Sequence, residues 1–373
     1  MRVLHILEAT SGGTRQHILD LLPALQARGI SNFLIYSPSR YAAFREDAAW
    51  LHHKNCQTFE IAMGRSWQRA GDMEALRELR EHLRNHRYDV IHCHSSNAGL
   101  MGRLANLWHS RNTPLVYTPH YIAFAAGLPI PQRRVARWLE KLLAPQTDFY
   151  IAVSQHEYSV MQRAKLLRNH NAEVIYNGVD ERQFSTEFSA SEFFTIGCFG
   201  RLTAQKNQSL LVRALPIIAR EIPNVRLRLV GDGEDAGILR ELAIKLKVEN
   251  LMEWRGEVRD AKAEYSSCAI VAQPSRWEGC SYALLEAAAS GKAILASDVG
   301  GNREVVGAAG VLLPSRDANL WAQNIVSLAR DASRREALGH AARARVASQF
   351  RLQTMVEKTI AVYERVVFST ASS

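Results

Sequence analysis

The sequence is poor in cysteine and has no long apolar run. Only five of its 373 residues are cysteines, and no two of them form a C-x-x-C pair. Scattered cysteines in odd number argue against a structural zinc site and favour a reducing compartment, the cytoplasm. No stretch reaches the roughly 18 apolar residues of a membrane-spanning helix. The apolar stretch at residues 3–7 is too short for a signal peptide, so we expect none.

The sequence is basic, but it lacks the patterns of nucleic-acid binding. The net charge is +9, and residues 1–180 carry 21 Lys and Arg against 15 Asp and Glu. No basic run alternates with aromatic residues, so nucleic acid is not an expected partner. The basic excess fits ordinary solubility, an anionic membrane surface or a phosphorylated ligand. Twelve of the thirteen histidines also precede residue 181.

Short apolar runs alternate with amphipathic segments along the chain. Strands alternating with helices at this spacing predict parallel sheets in an α/β fold. The pattern restarts at Phe194, and the chain is long for one core, so two Rossmann-like domains are expected. We place the domains at 1–180 and 181–350, with the linker at Glu181 to Ser191. The segment 351–373 is predicted to be a C-terminal helix that packs back on the first domain.

Glycine and histidine follow several predicted strands of the first half. Gly12 and Gly13 follow the first strand, without the full G-x-G-x-x-G spacing of a dinucleotide site. His94 and His120 each lie at the carboxyl end of a strand, which is the ligand-binding edge of a parallel sheet. A plain strand-to-helix turn remains the alternative for the glycines. A packing or capping role remains the alternative for His94.

A basic amphipathic segment, Gln132 to Leu143, follows Pro131. Its spacing predicts a helix with four inward-facing side chains, Val135, Trp138, Leu139 and Leu142. A helix of this composition can lie on an anionic membrane surface. A solvated helix face is the alternative.

Two glutamates, Glu278 and Glu286, lie eight positions apart in the second half. Glu278 follows a predicted strand, and Glu286 is the one charge of an apolar helix, which is costly unless it is paired or liganded. Between them, the amides of residues 279–281 would form a helix N-terminus that favours an anion. Alone, the two carboxylates could also be a hydrolase pair.

These motifs, in this order, resemble the family-4 retaining glycosyltransferases of the GT-B fold, of the bacterial surface-polysaccharide type. The resemblance covers nearly the whole chain and rests on the glutamate spacing and three further motifs: Gly200-Arg201-Leu202 with Lys206-Asn207, Asn177-Gly178-Val179-Asp180, and Ser297-Asp298-Val299-Gly300-Gly301. It implies two Rossmann-like domains whose parallel sheets face across a cleft, with the C-terminal helix crossing back to the first domain.

The resemblance also implies roles for individual residues. Arg201 and Lys206 match the cations that hold the donor diphosphate, although a solvated basic loop is the alternative. Glu286 matches the carboxylate that accepts hydrogen bonds from the ribose hydroxyls. Glu278 matches the carboxylate that contacts the transferred sugar. The implied donor-binding set is Gly12, Gly13, Arg201, Lys206, Gly256, Glu278, Gly279, Cys280, Ser281 and Glu286. The implied catalytic set is His120, Glu278, Arg201 and Lys206, and the acceptor-binding set is His94, Ser95, Asn97 and His120.

The implied reaction is transfer of a hexose from a nucleotide sugar, with retention of the anomeric configuration. A UDP-sugar is the favoured donor, and a GDP-sugar is the second choice. The implied acceptor is a saccharide, lipid-linked, in capsule, exopolysaccharide or O-antigen assembly. No D-x-D motif is present, so we expect no divalent metal and no other cofactor. The expected location is cytoplasmic, peripheral on the inner face of the cell membrane. A UDP-N-acetylglucosamine-type epimerase and a non-catalytic nucleotide-sugar-binding protein are the alternatives.

One residue departs from the family pattern. Cys280 stands where many relatives would have a larger apolar or aromatic side chain. At a helix N-terminus its thiol would have a lowered pKa, which suggests a reactive cysteine near the donor. Packing of a small residue is the alternative.

Overall fold

The chain folds into two units, each built around its own parallel sheet. The computed structural model describes residues 1–39, 41–64, 70–107, 113–168, 171–186 and 192–371. The first unit comprises Met1–Asn177 and Leu352–Ser373, and the second comprises Gly178–Arg351. The predicted linker at Glu181 to Ser191 lies partly outside the described residues, and its described part begins with a 3-10 turn at Glu181–Gln183.

The sheet of the first unit has seven parallel strands in the order β3-β2-β1-β4-β5-β6-β7. Its strands are apolar on both faces: in β1, Leu4 and Ile6 face one core, whereas Val3 and Leu7 face another. Helices on both faces account for this pattern. The strands are β1 Arg2–Leu7, β2 Ser31–Tyr36, β3 Gln57–Glu60, β4 Val90–His94, β5 Leu115–Thr118, β6 Phe149–Ala152 and β7 Ala172–Val174.

Seven helices of the described chain belong to the first unit. They are α1 Gly13–Gln26, α2 Phe44–His53, α3 Ala70–Asn85, α4 Ser96–Leu107, α5 Ile130–Leu143, α6 Gln155–Arg163 and, from the end of the chain, α14 Leu352–Ala371. Helix α14 lies beside α1 and β4. Its Met355, Val356 and Tyr363 share a buried core with Ile18 and Leu21 of α1. The last helix therefore completes the first unit, as the sequence predicts.

Helix α5 buries a different face from the one predicted. Val135, Trp138 and Leu142, expected to point inward, are 56%, 61% and 58% exposed. The buried residue at this point is Glu140, whose carboxylate bonds to the Arg103 guanidinium at 2.9 Å and accepts the Tyr117 hydroxyl at 3.0 Å. A buried guanidinium without its carboxylate would be strongly destabilising, so this pairing sets the rotation of the helix.

The sheet of the second unit has six parallel strands in the order β10-β9-β8-β11-β12-β13. The strands are β8 Phe194–Phe199, β9 Val225–Val230, β10 Met252–Gly256, β11 Ile270–Gln273, β12 Ala293–Ser297 and β13 Val311–Leu313. The helices are α7 Ser209–Glu221, α8 Ala236–Lys245, α9 Lys262–Ser266, α10 Tyr282–Ala289, α11 Asn302–Val306, α12 Ala318–Arg330 and α13 Ala332–Gln349. The two sheets are those of two Rossmann-like domains, as predicted.

Both sheets reverse their direction of growth beside their first strand. In the first unit the chain adds β2 and β3 on one side of β1 and then β4 on the other. In the second unit β9 and β10 lie on one side of β8, and β11 lies on the other. Ligands of such sheets bind outside the carboxyl ends of the strands at these switch points. Among the described helices, none has both the length and the apolar character needed to cross a membrane.

Candidate active site

An ion pair joins the two loops at the switch point of the second unit. Lys206 lies in the loop after β8 and Glu278 in the loop after β11, and Lys206 Nζ is 2.6 Å from Glu278 Oε1. The two side chains are only 16% and 8% exposed. A short charge-assisted bond shielded from water is strong and directional. The structure thus brings together two residues that lie 72 positions apart in the sequence.

The Ser297–Gly301 motif supports the loop that carries Glu278. The Gly301 amide donates to the Glu278 carbonyl oxygen at 3.1 Å. Gly300 has a φ of +47°, and a Cβ at this position would collide with the same carbonyl oxygen. Because only glycine tolerates both the backbone conformation and the close contact, this turn fixes the backbone of Glu278.

Glu286 lies on α10, where its carboxylate accepts a hydrogen bond from the hydroxyl of Tyr265 at 2.9 Å. Tyr265 is buried, and its ring stacks on Phe199 with 3.7 Å between centroids. Burial raises the pKa of Tyr265 well above its usual value, so the hydroxyl remains a donor. Tyr265 was not a predicted site residue, since its partner is 21 positions away.

Two polar residues outside the predicted site sets hold the loops after β8 and β11. The Gln273 side chain donates to the Phe199 carbonyl oxygen at 2.7 Å and accepts the Phe199 amide at 3.3 Å. Asn207 has a φ of +56°, and its amide group donates to the carbonyl oxygens of Pro274 and Ser315, both at 3.0 Å. Gln273 is the last residue of the apolar strand β11, and this position was the available signal.

The other predicted donor-binding residues lie at the same sheet edge. Arg201 directly follows Gly200 at the end of β8 and is half-buried, and Gly256 ends β10 with a φ of +65°. Ser281 is the N-cap residue of α10, and its Oγ is buried without a hydrogen-bond partner in the described part of the chain. An unpaired buried hydroxyl at a helix N-terminus suits a ligand oxygen.

Cys280 is only 7% exposed. Burial removes the access that a reactive thiol needs, so the structure argues against the reactive-cysteine hypothesis and favours packing of a small residue.

The predicted acceptor residues cluster at the switch point of the first unit. His94 is in register with Leu7 on one side and Thr118 on the other, so the ends of β1, β4 and β5 meet. Ser95 has a φ of +83°, and its hydroxyl donates to the buried Glu8 carboxylate at 3.4 Å. Asn97 donates to the carbonyl oxygen of Gly64. Gly12, with a φ of +65°, and Gly13 begin α1 after β1 and are exposed.

His120 lies in a backbone conformation that few side chains adopt. His120 and Tyr121 have φ values of +53° and +86°. Glu157 of α6 holds this loop, since its carboxylate accepts the amides of Tyr121 at 2.6 Å and Val153 at 2.9 Å. Burial raises the pKa of Glu157 to about 7. Strained residues of this kind cluster at functional sites.

Three imidazoles and one amide form a hydrogen-bonded row. Asn32 Oδ1 is 3.2 Å from His5 Nε2, His5 Nδ1 is 3.1 Å from His94 Nε2, and His94 Nδ1 is 3.3 Å from His120 Nε2. Burial lowers the pKa of His5 to about 3 and those of His94 and His120 well below 6.5. These imidazoles are therefore neutral at pH 7.

Two groups of three histidines have ligand atoms close enough to hold a metal ion. His5, His92 and His94 form one group, and His17, His94 and His120 form the other, with ligand atoms within 4.8 Å of one another. Neutral imidazoles suit zinc and similar transition metals. The expectation that no divalent metal is needed stays a prediction.

Comparison with known proteins identifies both halves of the chain. Residues 11–183 match the family described as Glycosyltransferase Family 4, and residues 194–331 match Glycosyl transferases group 1. Together the two matches extend over most of the sequence.

Two curated relatives and one solved structure are similar to the chain. UDP-Gal:alpha-D-GlcNAc-diphosphoundecaprenol alpha-1,3-galactosyltransferase of Escherichia coli is 28% identical, over 63% of this chain and 64% of that enzyme, so less than two thirds of its length is matched. The 41.2 kDa protein of the cps region of Klebsiella pneumoniae is 27% identical, over 64% and 68% of the two chains. Anabaena HepE in complex with UDP and glucose superposes with a TM-score of 0.81 over 98% of this chain and 100% of that one, at 23% identity, which shows the fold.

Proposed function

Because the chain belongs to the family-4 glycosyltransferases of the GT-B fold, we propose that it transfers a hexose from a UDP-sugar to a saccharide acceptor with retention of configuration. The Lys206–Glu278 ion pair, 2.6 Å long at the switch point of the second sheet, is the observation that carries this proposal. It places a cation and a carboxylate where a nucleotide-binding sheet takes its ligand.

Lys206 and Glu278 contribute to different parts of the donor. The ammonium group neutralises the diphosphate as it leaves, which stabilises the charge that develops in the transition state. The Glu278 carboxylate, oriented by the ammonium group, bonds to hydroxyls of the transferred sugar. The Ser281 hydroxyl at the N-terminus of α10 has no hydrogen-bond partner among the described residues, which supports an anion or a sugar oxygen at this point.

Glu286 is proposed to bind the ribose of the nucleotide. Its carboxylate is half-buried and already held by the Tyr265 hydroxyl. A carboxylate can accept several hydrogen bonds, which suits the two hydroxyls of a ribose. Both carboxylates are thus assigned to binding. This fits a reaction in which the acceptor hydroxyl attacks from the face of the leaving group and the leaving phosphate takes the hydroxyl proton.

The acceptor is proposed to be a lipid-linked saccharide at an anionic membrane, on its inner face. The name of the Escherichia coli relative describes a diphosphoundecaprenol acceptor and a UDP-galactose donor. Helix α5 supports a lipid surface, since it leaves Val135, Trp138 and Leu142 exposed on one stripe. Four cations, Arg133, Arg134, Arg137 and Lys141, lie beside that stripe and are exposed. Adjacent apolar and basic faces fit the headgroup region of an anionic bilayer.

A thermal-shift panel tests the donor. Saturating UDP-sugars should raise the melting temperature, because a ligand at about 100 times its Kd stabilises by about 2.7 kcal/mol. GDP-sugars at equal concentration should shift it less. A larger shift with GDP-sugars would overturn the choice of nucleotide. Incubation with the donor alone should return the donor sugar unchanged, whereas an epimerised sugar would indicate the alternative activity.

Sedimentation with vesicles tests the membrane surface. The protein should sediment with vesicles containing phosphatidylglycerol and stay in solution with phosphatidylcholine alone. Trp138→Glu should abolish the binding. Ile244→Glu is the matched control, because Ile244 is 62% exposed on α8, outside the basic stripe. Equal binding by all three proteins would contradict the proposal, without affecting the donor assignment.

A further inference from the structure

The row of Asn32, His5, His94 and His120 has a direction that the structure sets at its buried end. The Asn32 Nδ2 group donates to the carbonyl oxygens of Leu22 at 3.2 Å and Ile30 at 3.0 Å. An amide nitrogen is a donor and an amide oxygen an acceptor, so these two bonds fix the orientation of the side chain. Its Oδ1 is therefore the atom that faces His5 Nε2, 3.2 Å away.

The orientation of Asn32 determines where each proton lies along the row. His5 Nε2 must carry a hydrogen to bond to Oδ1, and a neutral imidazole has only one ring hydrogen. His5 Nδ1 is then an acceptor, so the hydrogen of the 3.1 Å bond belongs to His94 Nε2. By the same argument His94 Nδ1 is an acceptor, and the hydrogen of the 3.3 Å bond belongs to His120 Nε2.

The last imidazole of the row is left with one lone pair. His120 donates through Nε2, so its Nδ1 is unprotonated. In the described part of the chain no residue bonds to this Nδ1, and His120 is half-buried, unlike the fully buried His5 and His94. The row therefore begins at a buried amide and ends in an acceptor atom at the carboxyl edge of the sheet.

We propose that Asn32 and His5 are positioning residues that act through His94 to hold His120 in one tautomer, with Nδ1 presented as a hydrogen-bond acceptor to a sugar hydroxyl of the substrate. The proposal rests on the proposed function for the identity of the substrate, but the tautomer itself does not depend on it. His120 then accepts a hydrogen bond from substrate and does not donate one.

Two other proton arrangements are disfavoured by the surroundings. In the reversed row, each histidine would carry its hydrogen on the other ring nitrogen. The lone pair of His5 Nε2 would then face the lone pair of Asn32 Oδ1, with both groups buried. A protonated imidazole inside the row would carry a charge away from water and would remove one acceptor. A metal ion on His94 would take one of its two ring nitrogens, and both are hydrogen-bonded in the row. The one-directional row supplies one hydrogen to each of its three bonds and carries no charge.

Nitrogen NMR of the wild-type protein tests the tautomer directly. The protein is labelled with ¹⁵N in its histidine rings and kept in EDTA at pH 7.5, and the His120 signals are identified by their loss in His120→Asn. We expect Nε2 of His120 to be protonated and Nδ1 to be unprotonated. The opposite tautomer, or an even mixture of the two, would overturn the proposal whether or not the protein transfers sugar.

Variants at the buried end test the positioning role. Asn32→Leu removes the fixed acceptor at nearly constant volume, so the Nδ1–H tautomer of His120 should become populated. Tyr363→Phe is the matched control, since it removes a buried hydroxyl bonded to His92 Nδ1 at 2.6 Å, outside the row. A wild-type His120 spectrum in Asn32→Leu would overturn the role of Asn32.

Kinetics separate a positioning role from loss of structure. Asn32→Leu should lower kcat about tenfold, the size of one lost hydrogen bond at the reacting group, while the UDP-induced thermal shift stays unchanged. Tyr363→Phe should leave both values near wild type. If Asn32→Leu fails to fold, the NMR measurement of the His120 tautomer in the wild-type protein tests the proposal. A changed tautomer with unchanged kcat would overturn the proposed contact with substrate and leave the glycosyltransferase assignment intact.

Discussion

The two units differ in electrostatics at corresponding positions of their sheets, one with neutral groups and the other with an ion pair. At the switch point of the first unit, the described side chains include neutral imidazoles hydrogen-bonded in a row. At the switch point of the second unit, a lysine and a glutamate form a short ion pair. The same strand order thus supports one edge with neutral hydrogen-bonding groups and one edge with a buried ion pair, called the charged edge below.

This difference gives the uneven histidine distribution a physical basis. Only His340 lies in the second unit, whereas the first unit uses buried histidines as polar groups that need no charge. A buried imidazole can both donate and accept, so a row of them is fully hydrogen-bonded without a counter-ion. A buried ion pair has no such neutral state and depends on both partners.

Mild acid should separate the two units most strongly. His5, His17, His92 and His94 have folded-state pKa values lowered by burial, to about 3 and about 4 for the first two. Their stabilising contribution is complete above pH 6.5 and is lost as the pH falls, because only the unfolded chain then takes up protons. Each of these histidines lowers the free energy of unfolding by about 1.4 kcal/mol per pH unit below pH 6.5. The raised pKa of Glu157 acts in the opposite direction and offsets part of this loss.

Stability should therefore fall from pH 7.5 to 5.5, and the loss should be confined to the first unit. Hydrogen exchange followed by mass spectrometry, corrected for the intrinsic rate at each pH, should show lost protection in β4 and β5 and retained protection in β8 and β11. Equal loss of protection in both units would break the comparison.

Substitution of the lysine tests the charged edge. Lys206→Ala should lower kcat/KM at least a hundredfold, about 2.7 kcal/mol, because the leaving diphosphate loses its cation. Transfer of radiolabelled sugar measures the rate, and circular dichroism checks the fold. Lys245→Ala, on the exposed face of α8, is the control and should be close to wild type.

A double variant separates catalysis from stability at the same pair. Lys206→Ala leaves the Glu278 carboxylate buried without its partner, so it should also lower the melting temperature. Adding Glu278→Gln should recover stability and leave activity low. If Lys206→Ala kept activity near wild type, Lys206 would not be the cation that stabilises the leaving diphosphate.

Glu286→Ala should lower activity about a hundredfold, chiefly through weaker binding of the donor, since two ribose hydroxyls lose their acceptor. The UDP-induced thermal shift should shrink in parallel. Glu241→Ala, on exposed α8, serves as the control. If the UDP-induced thermal shift were unchanged in Glu286→Ala, Glu286 would not bind the nucleotide.

The smallest effect is expected from the hydroxyl that holds Glu286. Tyr265→Phe removes one hydrogen bond and should weaken UDP binding by roughly 0.5–1.5 kcal/mol, up to about tenfold in affinity. Tyr363→Phe removes a comparable buried hydroxyl from the first unit and should leave UDP affinity unchanged. Calorimetric titration with UDP measures both, and equal losses would contradict the division of roles between the two units.

Local sequence patterns were sufficient to predict the alternation of strands and helices and where the candidate site residues lie along the strands. Apolar runs followed by glycine, histidine or acidic residues placed His94, His120 and Glu278 at carboxyl ends of strands, where the structure has them. A parallel sheet brings such ends to one edge whatever its strand order.

Interactions between distant residues could not be read from the sequence. The burial of Glu140 depends on Arg103, 37 positions earlier, and this pairing reverses the predicted inward face of α5. Asn32 looks like an ordinary strand residue until β1 and β4 bring His5 and His94 together, 89 positions apart. Polar partners inside a core follow from the strand order, which periodicity does not encode.

The course of the chain through helix α14 has a consequence for synthesis on the ribosome. The chain leaves the first unit after Asn177 and re-enters it at Leu352. Tyr363, which fills the core beside α1 and bonds to His92, is translated after every residue of the second unit. The second unit can therefore complete its sheet while the first still waits for its last helix. A ribosome that stops after Arg351 would release a finished second unit attached to an incomplete first one.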